Sequence, residues 1–345
     1  MSAVLAAVTE GVGDMRVREV PEPGDPGVGE LIVRPDAVGL CGSDYHFFDG
    51  ALTEAAGGGR FPRVQGHEVS ATVEVLGEGC NPGLRVGQRV ALWPLTPCGR
   101  CYPCRVGRSN VCSNFELIGI HVDGGLQERF TVASDHAFAI DAPPELAALV
   151  EPVSIAMRAM GRGRVEAGER VVILGAGPIG QSLSVAARDR GADVLIVDPV
   201  ASRLERSRTE TLVWADAAQV VGDARDWSGG EGPTVVIDAT GAPAAVRAAV
   251  DMVAPAGRVV QVGMSGDEVT VRIGSFTEKE LDVLGVCCCG GGEFAEAVKL
   301  VERRRDELAS LVTHTYPLER APEAIAFAME HPVEVMKVVI TQARG

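Results

Sequence analysis

Residues 170–180 read RVVILGAGPIG, an apolar stretch that runs directly into a glycine-rich turn. The turn has the spacing G-x-G-x-x-G, which is typical of the junction between a strand and a helix that hold a dinucleotide. In such a turn Gly175 allows the sharp bend, Gly177 lets the backbone approach a pyrophosphate, and Gly180 lets the helix pack against the strand. The stretch therefore predicts a nucleotide-binding βα unit.

The residues around this turn indicate which nucleotide is expected. Pro178 and Ile179 begin the predicted helix, whose N-terminal N–H groups attract phosphate. Asp198 ends the next predicted strand, where an acidic side chain accepts hydrogen bonds from the adenosine ribose hydroxyls and repels a 2′-phosphate. This favours NAD over NADP, although Arg203 weakens the preference. Thr240-Gly241 follows a later strand and is expected beside the nicotinamide. The alternative is a structural turn that binds no nucleotide.

The pattern of strands and helices divides the chain into two parts. Up to about residue 142, short β-rich runs are separated by Pro-Gly and glycine-rich turns, which predicts a mostly β domain. From about residue 170, buried apolar strands alternate with helices, which predicts an α/β domain with a doubly wound parallel sheet. Strands are predicted at 30–33, 69–76, 89–92, 170–174, 193–197, 234–238, 258–262 and 335–340, and helices at 145–160, 179–190, 242–253, 293–304 and 321–330.

Composition excludes several classes of function. Lys and Arg total 32 against 47 Asp and Glu in 345 residues, so the formal charge of −15 disfavours nucleic acid and anionic membranes as partners. The sequence shows neither an apolar stretch of about 18 residues nor a basic N-terminal start, so we expect no membrane span and no signal peptide. Nine cysteines, several of them two residues apart, favour metal thiolates in a reducing compartment. We therefore expect a cytoplasmic protein.

Four of these cysteines lie close together in the sequence. Cys98, Cys101, Cys104 and Cys112 have the spacing C-x2-C-x2-C-x7-C. Four thiolates that leave no open position form a structural zinc site, which contributes folding energy and no chemistry. The bacterial iron–sulfur signature also begins C-x2-C-x2-C, but it continues x3-C-Pro, whereas here the last gap is seven residues. Four ordinary buried thiols are the remaining alternative.

A second set of possible metal ligands precedes this cluster. Cys41 lies in a turn, and the pair His67-Glu68 follows in another turn. A thiolate, an imidazole and a carboxylate leave a fourth position for water or substrate oxygen, which is typical of catalytic zinc. Taken singly, Cys41 would be a small buried hydrophobe and His67 a core histidine. Their occurrence together with the cysteine cluster and the dinucleotide turn favours the metal site.

These motifs resemble those of the medium-chain zinc-dependent alcohol dehydrogenases, and more closely the sorbitol and threonine dehydrogenase branch. The resemblance covers essentially the whole chain. It is carried by Cys41-Gly42-Ser43-Asp44-Tyr45-His46, Gly66-His67-Glu68, the cysteines from 98 to 112, Glu151-Pro152-Val153, Gly175 to Gly180, Asp198 and Lys337-Val338-Val339-Ile340.

The resemblance implies a domain arrangement and an assembly. It implies a β-rich, GroES-like catalytic domain at 1–150 with the cysteine lobe at about 95–115, a Rossmann NAD-binding domain at 151–285, and a return segment at 286–345 that completes the catalytic domain. It also implies two zinc ions per chain, one catalytic and one structural, and a homotetramer or homodimer.

The resemblance also assigns metal ligands. It implies that Cys41 and His67 bind the catalytic zinc directly, that Glu68 is a ligand or near-ligand, and that Glu151 is an exchangeable or water-bridged ligand. Asp44 would orient His67, as metal-bound histidines usually require.

The same resemblance assigns the chemistry. Zinc would lower the pKa of an alcohol, Ser43 would receive the alcohol proton, and His46 would pass it toward solvent. Hydride would then move to the nicotinamide of NAD, and the reverse reaction would reduce a ketone. The expected partner is a small-molecule alcohol or ketone.

One segment departs from the polyol dehydrogenase pattern. Relatives of this branch usually carry an arginine at the segment corresponding to 285–292, which here reads GVCCCGGG. Its absence leaves three substrates open: a polyol, a sugar acid, or a less polar aryl or alkyl secondary alcohol. Cys287, Cys288 and Cys289 are expected to be small apolar residues, because side chains alternate along a strand and three thiolates would not converge. His121 lies in a run, 119–125, that is similar to one in L-galactonate 5-dehydrogenase.

Two further function classes remain as alternatives. A non-catalytic nucleotide-binding protein on the same scaffold would be expected to lose the zinc ligands. A zinc-independent quinone or enone reductase would lack both the ligands and the cysteine lobe. The sequence retains all of these residues.

Overall fold

A computed structural model of the protein describes residues 2–53 and 58–342. The chain forms two compact units. The first takes the described residues up to Glu151 and those from Cys289 onward, and the second is Pro152–Cys288. The polypeptide therefore leaves the first unit after Glu151 and returns to it after the second unit is complete.

The second unit alternates strands and helices along nearly its whole length. Its elements are α4 (Val150–Arg162, which begins at the end of the first unit), β11 (Arg170–Leu174), α5 (Pro178–Asp189), β12 (Asp193–Asp198), α6 (Ala201–Leu204), β13 (Glu210–Val213), α7 (Ala217–Trp227), β14 (Val235–Asp238), α8 (Pro243–Met252), β15 (Arg258–Gln261), α9 (Gly274–Lys279) and β16 (Asp282–Gly285).

The strands of the second unit form one parallel sheet in the order β13-β12-β11-β14-β15-β16. This order, with the first strand beside the fourth, is that of a dinucleotide-binding Rossmann fold. Apolar side chains of the central strands pack against α7 and α8 and exclude water from that face of the sheet. The carboxyl ends of β11, β12 and β14 therefore lie side by side, and the loops that follow them share one edge.

The first unit is mostly β-structure. Its elements are β1 (Ala3–Gly11), β2 (Asp14–Pro21), β3 (Glu30–Gly39), α1 (Gly42–Phe48), β4 (Arg63–Val64), β5 (Glu68–Leu76), β6 (Arg89–Leu92), β7 (Leu95–Thr96), α2 (Tyr102–Arg105), β8 (Glu116–Leu117), β9 (Phe130–Ala133), β10 (Ala137–Ala139), α3 (Pro144–Ala147), α10 (Gly291–Arg303), α11 (Arg305–Leu308), β17 (Val312–Pro317), α12 (Ala321–Glu330) and β18 (Lys337–Thr341).

The C-terminal strand completes the main sheet of the first unit. This sheet has the order β10-β6-β5-β3-β18-β17, with β9 also paired to β3. β18 is antiparallel to β3, so that Val339 lies opposite Gly39, and Gly39 in turn lies opposite Glu68 of β5. Residues more than 250 positions apart in the chain are thus neighbours in three adjacent strands.

Two of the differences between the predicted elements and the structure concern the helix before the parallel sheet and the edges of that sheet. The helix predicted at 145–160 is two helices, α3 and α4, with a break at 148–149. β13 and β16 were not predicted, and both are edge strands of the parallel sheet whose residues are exposed or half-buried. Edge strands lack the continuous apolar run of a central strand, which is the signal that reveals a buried strand in a sequence.

Candidate active site

Cys41 lies at the N-cap of α1, where Asp44 holds the turn. The backbone N–H of Cys41 donates a 2.9 Å hydrogen bond to Asp44 Oδ2, which fixes the extended backbone of Cys41 at the start of the helix. Asp44 is fully buried, and its Oδ1 accepts hydrogen bonds from the Gln65 side chain at 3.4 Å and from Gly66 N–H at 3.3 Å. One carboxylate therefore ties the Cys41 turn to the turn that carries His67.

Glycines explain why the second turn can be so compact. Gly66 has φ +94°, and a side chain at Gly119 or Gly124 would approach the backbone of Gly66 within 3.0 Å. The glycines of the run 119–125 are thus needed for close packing beneath the metal-site turn. His121 accepts a hydrogen bond at Nδ1 from the backbone of Leu117, which is a local structural contact.

The structure brings together the ligand atoms of Cys41, His67 and Glu68, which all lie within 4.8 Å of one another. Nδ1 of His67 faces Asp44 Oδ1 at 3.7 Å, too long for a hydrogen bond, and Nε2 lies 3.3 Å from the Ser43 hydroxyl. Nε2 is therefore the nitrogen available to a metal, and Asp44 is placed to orient the ring from the other side.

Lys337 is a site residue to which the sequence analysis assigned no role. Its ammonium group is buried and donates to Glu68 Oε1 at 2.7 Å, to Glu68 Oε2 at 2.8 Å and to the Leu40 carbonyl at 3.0 Å. A lysine inside the apolar run 335–340 was the available signal, because an unpaired lysine is almost never fully buried. Both carboxylate oxygens of Glu68 are thus neutralised by Lys337.

Burial and charge shift the ionisation of the neighbouring groups. Burial lowers the pKa of His67, but the Asp44 carboxylate more than offsets it and holds the pKa well above its usual value. The pKa of Glu151, in the first turn of α4, is raised to about 7, chiefly because its carboxyl is removed from water and also because Glu68 repels its charge. The positive charges of His67 and Lys337 oppose that shift.

The donor set fits zinc. A zinc ion with bonds of about 2.0–2.3 Å to sulfur, nitrogen and oxygen requires donors roughly 3.3–3.8 Å apart, which the 4.8 Å limit on this cluster accommodates. Thiolate and imidazole are the ligands that zinc prefers over magnesium or calcium. The ammonium group of Lys337 already pairs with Glu68. Cys41 and His67 are therefore the two candidate ligands that do not pair with Lys337.

Ser43 and His46 differ in their exposure to solvent and in their distance from the ligand cluster. Ser43 is half-buried beside His67 Nε2. The His46 side chain is 63% exposed, and its Nδ1 lies 3.7 Å from Asp49 Oδ2. Ser43 therefore belongs to the ligand cluster, whereas His46 lies at the solvent side of α1.

The four cysteines of the lobe also come together. Sulfur atoms of Cys98, Cys101, Cys104 and Cys112 lie within 4.8 Å of one another, with Cys101 Sγ 3.4 Å from Cys104 Sγ and 3.6 Å from Cys112 Sγ. Tetrahedral zinc with bonds of about 2.3 Å places its sulfurs about 3.8 Å apart, so these distances fit. Pairing of β7 with β8 closes the lobe at its base.

Backbone N–H groups favour thiolates in this lobe. N–H groups of Cys104 and Ser113 lower the pKa of Cys101 to about 6, and Cys98 N–H donates to Cys112 Sγ at 3.2 Å. Burial and the surrounding sulfurs raise the pKa of Cys104 to about 12. Without a cation, the Cys104 thiol therefore keeps its proton at neutral pH, and a bound metal would displace that proton.

The glycine turn has the geometry that a nucleotide requires. Gly175 has φ +99°, and a Cβ at Gly180 would lie 1.8 Å from the Gly175 carbonyl oxygen. A Cβ at Gly177, by contrast, would meet nothing within 4 Å. Pro178 and Ile179 form the first turn of α5, so N–H groups of that turn are directed toward the open side of the loop.

Asp198 closes the same site from β12. Its carboxylate is buried and accepts hydrogen bonds from Ala176 N–H at 2.7 Å and Val200 N–H at 2.8 Å. Arg203 Nη1 lies 3.7 Å from Asp198 Oδ2. Each carboxylate oxygen retains a lone pair for a ribose hydroxyl, although the arginine is also close.

Thr240 and Gly241 lie at the carboxyl end of β14, where Asp238 shapes the turn. Asp238 is buried and accepts hydrogen bonds from the Thr240 hydroxyl at 2.6 Å and from Gly241 N–H at 2.9 Å. Gly241 has φ +72°, and a Cβ there would lie 2.8 Å from the backbone of Met264. The structure therefore brings this loop to the sheet edge that carries the glycine turn.

Two family models match the chain: an alcohol dehydrogenase GroES-like domain at residues 27–143 and a zinc-binding dehydrogenase domain at 178–303. The starvation-sensing protein RspB of Escherichia coli K12 is 31% identical over 332 residues, which cover 94% of each chain. The chain belongs to the medium-chain zinc-type alcohol dehydrogenase family. The dehydrogenase is thus an oxidoreductase that uses NAD or NADP and acts on secondary alcohols.

Further relatives support this assignment. L-galactonate-5-dehydrogenase of E. coli K12 is 33% identical over 94% of each chain, and human sorbitol dehydrogenase is 33% identical over 93% of this chain and 92% of the relative. A crystal structure of RspB from E. coli CFT073 with NADH matches with a TM-score of 0.89 at 29% identity, covering 99% of this chain and 100% of that chain.

A structure with the other nicotinamide cofactor is equally similar. A zinc-binding dehydrogenase from Sinorhizobium meliloti 1021 bound to NADP has a TM-score of 0.89 at 29% identity and covers 99% of this chain and 100% of that chain. The predicted fold class, a Rossmann sheet plus a β-rich GroES-like domain, is confirmed. Within the described part of the dehydrogenase, no helix combines the length and apolar character needed to cross a membrane.

Proposed function

We propose that the dehydrogenase is an NAD-dependent, zinc-dependent enzyme that interconverts a small polar secondary alcohol, such as a polyol or sugar acid, and its ketone. The observation that carries this proposal is the convergence of Cys41, His67 and Glu68, with the Ser43 hydroxyl 3.3 Å from His67 Nε2. A hydroxyl beside the metal-binding nitrogen is what an alcohol reaction needs to accept a proton.

Two zinc ions per chain are proposed. Cys41 and His67 would hold the catalytic ion, with Glu151 as the exchangeable or water-bridged ligand. Glu68 would lie near the ion without binding it directly, because both of its carboxylate oxygens pair with Lys337. Cys98, Cys101, Cys104 and Cys112 would hold the structural ion.

The chain's own groups position and move the proton. When bound, zinc lowers the pKa of a ligand hydroxyl, and NAD supplies the hydride acceptor. Ser43 accepts the proton from the alcohol, and the exposed imidazole of His46 passes it to water. Asp44 holds the His67 ring, and Glu151 lies in the first turn of α4 as the exchangeable carboxylate.

Glycine and acidic residues would hold the cofactor. Gly175, Gly177 and Gly180 with the first turn of α5 would receive the pyrophosphate, and Thr240-Gly241 would line the nicotinamide side. Buried Asp198 supports the preference for NAD, because a 2′-phosphate would be repelled by its carboxylate. Arg203, 3.7 Å away, reduces that discrimination, so slow turnover with NADP is expected.

Relatives support the polar substrate class. L-galactonate-5-dehydrogenase, sorbitol dehydrogenase and the D-xylulose reductase of Saccharomyces cerevisiae, which is 32% identical, are named for sugar acids, polyols or their ketones. One observation favours a second candidate. Segment 285–292 carries no arginine to bind hydroxyls or carboxylates, which favours an aryl or alkyl secondary alcohol.

We further propose a cytoplasmic homotetramer or homodimer. The reducing compartment is supported by the nine cysteines, all of them described and none joined in a disulfide. Light scattering of the purified enzyme measures the assembly, and a monomer at micromolar concentration would contradict it.

The test is NAD reduction followed at the nicotinamide absorbance with polyols, aldonic acids, amino alcohols and aryl or alkyl secondary alcohols, with NADP and a chelator in parallel. We expect chelator-sensitive turnover with a polyol or aldonic acid and a lower kcat/KM with NADP. Turnover confined to aryl or alkyl alcohols would select the second candidate. Full activity of Cys41→Ser would contradict the zinc mechanism.

A further inference from the structure

Two adjacent cysteines form a thiol pair outside the zinc sites. Cys287 and Cys288 follow the end of β16, and their sulfurs are 3.8 Å apart within a hydrogen-bond contact. The expectation that side chains alternate here was wrong, because the segment is not a strand and Cys288 has φ +48°. This left-handed backbone, rare for a residue other than glycine, turns the second sulfur toward the first.

The pair is accessible and reactive. Cys287 is exposed and Cys288 is half-buried, whereas Cys289 is buried at 3% exposure. The Cys288 thiol beside it lowers the pKa of Cys287 to about 7, so a large fraction of Cys287 is thiolate at neutral pH. Only the first two thiols of the run can therefore act together on an external ligand.

A disulfide is not the favoured product of this geometry. Adjacent Cα atoms are about 3.8 Å apart, below the separation of about 4.4–6.8 Å that a disulfide normally joins. A single atom that bonds both sulfurs avoids that strain, because it joins them while they stay well beyond the S–S bond length of about 2.05 Å. The observed separation of 3.8 Å leaves room for such an atom between the two sulfurs.

We propose that Cys287 and Cys288 form a binding site for a trivalent organoarsenical, a soft centre that takes two thiolates. A zinc-like cation requires four ligands, and this pair supplies two. Trivalent arsenic needs only three bonds, and an organoarsenical brings the third substituent itself. With phenylarsine oxide, two S–H bonds are replaced by two As–S bonds and the arsenic oxygen leaves as water, so no oxidant or reductant is needed.

The experiment uses the zinc-loaded enzyme, so that the ligand cysteines are occupied, and one equivalent of phenylarsine oxide. Intact mass spectrometry should show one phenylarsenic group added with loss of two thiol hydrogens, and peptide mapping should place it on 287–288. Cys287→Ser and Cys288→Ser should each weaken binding by about 100-fold or more, because chelation is lost. Cys80→Ser, which removes a half-buried thiol elsewhere, should bind like the parent.

Several results would overturn the proposal. These are the absence of an adduct on the parent enzyme, unchanged affinity in both single variants, or an adduct mapped to the cysteines between 98 and 112. Zinc content and circular dichroism of each variant separate loss of the site from loss of the fold. None of these readouts depends on turnover, so they remain separate from the proposed function.

Discussion

At the scale of single residues, Lys337 and Glu68 form a buried ion pair in the first unit. Both side chains are 3% exposed or less, and two short hydrogen bonds join them. A buried ion pair adds little net stability, but removal of one partner leaves an uncompensated charge away from water. The pair therefore keeps a carboxylate behind the zinc ligands without leaving its charge unbalanced.

We expect Lys337→Met to lower the free energy of unfolding by about 3–5 kcal/mol, because the Glu68 carboxylate loses its partner. The double variant Glu68→Gln/Lys337→Met should recover much of this loss. Urea unfolding at matched zinc content measures both. Arg320→Met, which breaks an ion pair with both partners more than half exposed, is the control and should cost about 1 kcal/mol or less. Equal effects of Lys337→Met and Arg320→Met would contradict the argument.

A second prediction at this scale concerns the pH dependence of Cys287. Its pKa is lowered to about 7 by Cys288, and the thiolate is the nucleophile, so the rate of iodoacetamide alkylation should rise with pH and reach half its maximum near pH 7. In Cys288→Ala, which removes the hydrogen-bond donor, the midpoint should move up toward the ordinary thiol value of about 8.5. Peptide-resolved mass spectrometry gives the rates. An unchanged midpoint in the variant would show that Cys288 is not the cause.

At the scale of elements, the junction of β11 with α5 depends on contacts too close for any side chain. The Gly175 carbonyl oxygen occupies the place where a Cβ at Gly180 would lie. The helix can approach the strand, and its N-terminus can reach the nucleotide, only while that position is glycine. This element is therefore sensitive to substitution at Gly180.

We expect Gly180→Ala to weaken NADH binding by about tenfold or more, since overpacking costs about 1–3 kcal/mol and each tenfold corresponds to about 1.4 kcal/mol. The matched control is Gly222→Ala in α7, where a Cβ meets nothing within 4 Å and helix propensity improves. Fluorescence titration with NADH measures affinity. Parent-like binding by Gly180→Ala would contradict the placement of the pyrophosphate on this turn.

At the scale of the whole molecule, the two units should respond differently to metal removal. Both clusters of proposed zinc ligands lie in the first unit, whereas the parallel sheet belongs to the second. Chelation should increase amide hydrogen exchange in the lobe at 95–117, because a metal ion then no longer joins the four cysteines and holds the lobe closed. The strands β11, β12 and β14 should keep their protection. Hydrogen-exchange mass spectrometry measures the lobe and the strands separately. Cys104→Ser should reproduce the effect of the chelator on the lobe. Equal loss of protection in both units would contradict this separation.

Local patterns in the sequence were sufficient for the fold class of the Rossmann unit, the two clusters of candidate metal ligands and the class of chemistry. The glycine turn, the central strands and the cysteine spacing are each contained in a short segment, and their physical meaning depends on few distant residues. The confirmed fold class and family follow from these segments. The edge strands β13 and β16 were not predicted, because a parallel strand is recognised in a sequence by its run of buried apolar residues and these two strands lack one.

Only the tertiary structure decided what the distant residues do. Lys337 reaches Glu68 because β18 pairs with β3 and β3 with β5, and no local pattern records that pairing. The glycines at 119 and 124 matter because their backbone packs on the Gly66 turn. Cys287 and Cys288 meet because one residue adopts a left-handed backbone that the alternation rule does not anticipate. Spacing along a chain determines which groups are available, whereas strand pairing and backbone angles determine which of them touch.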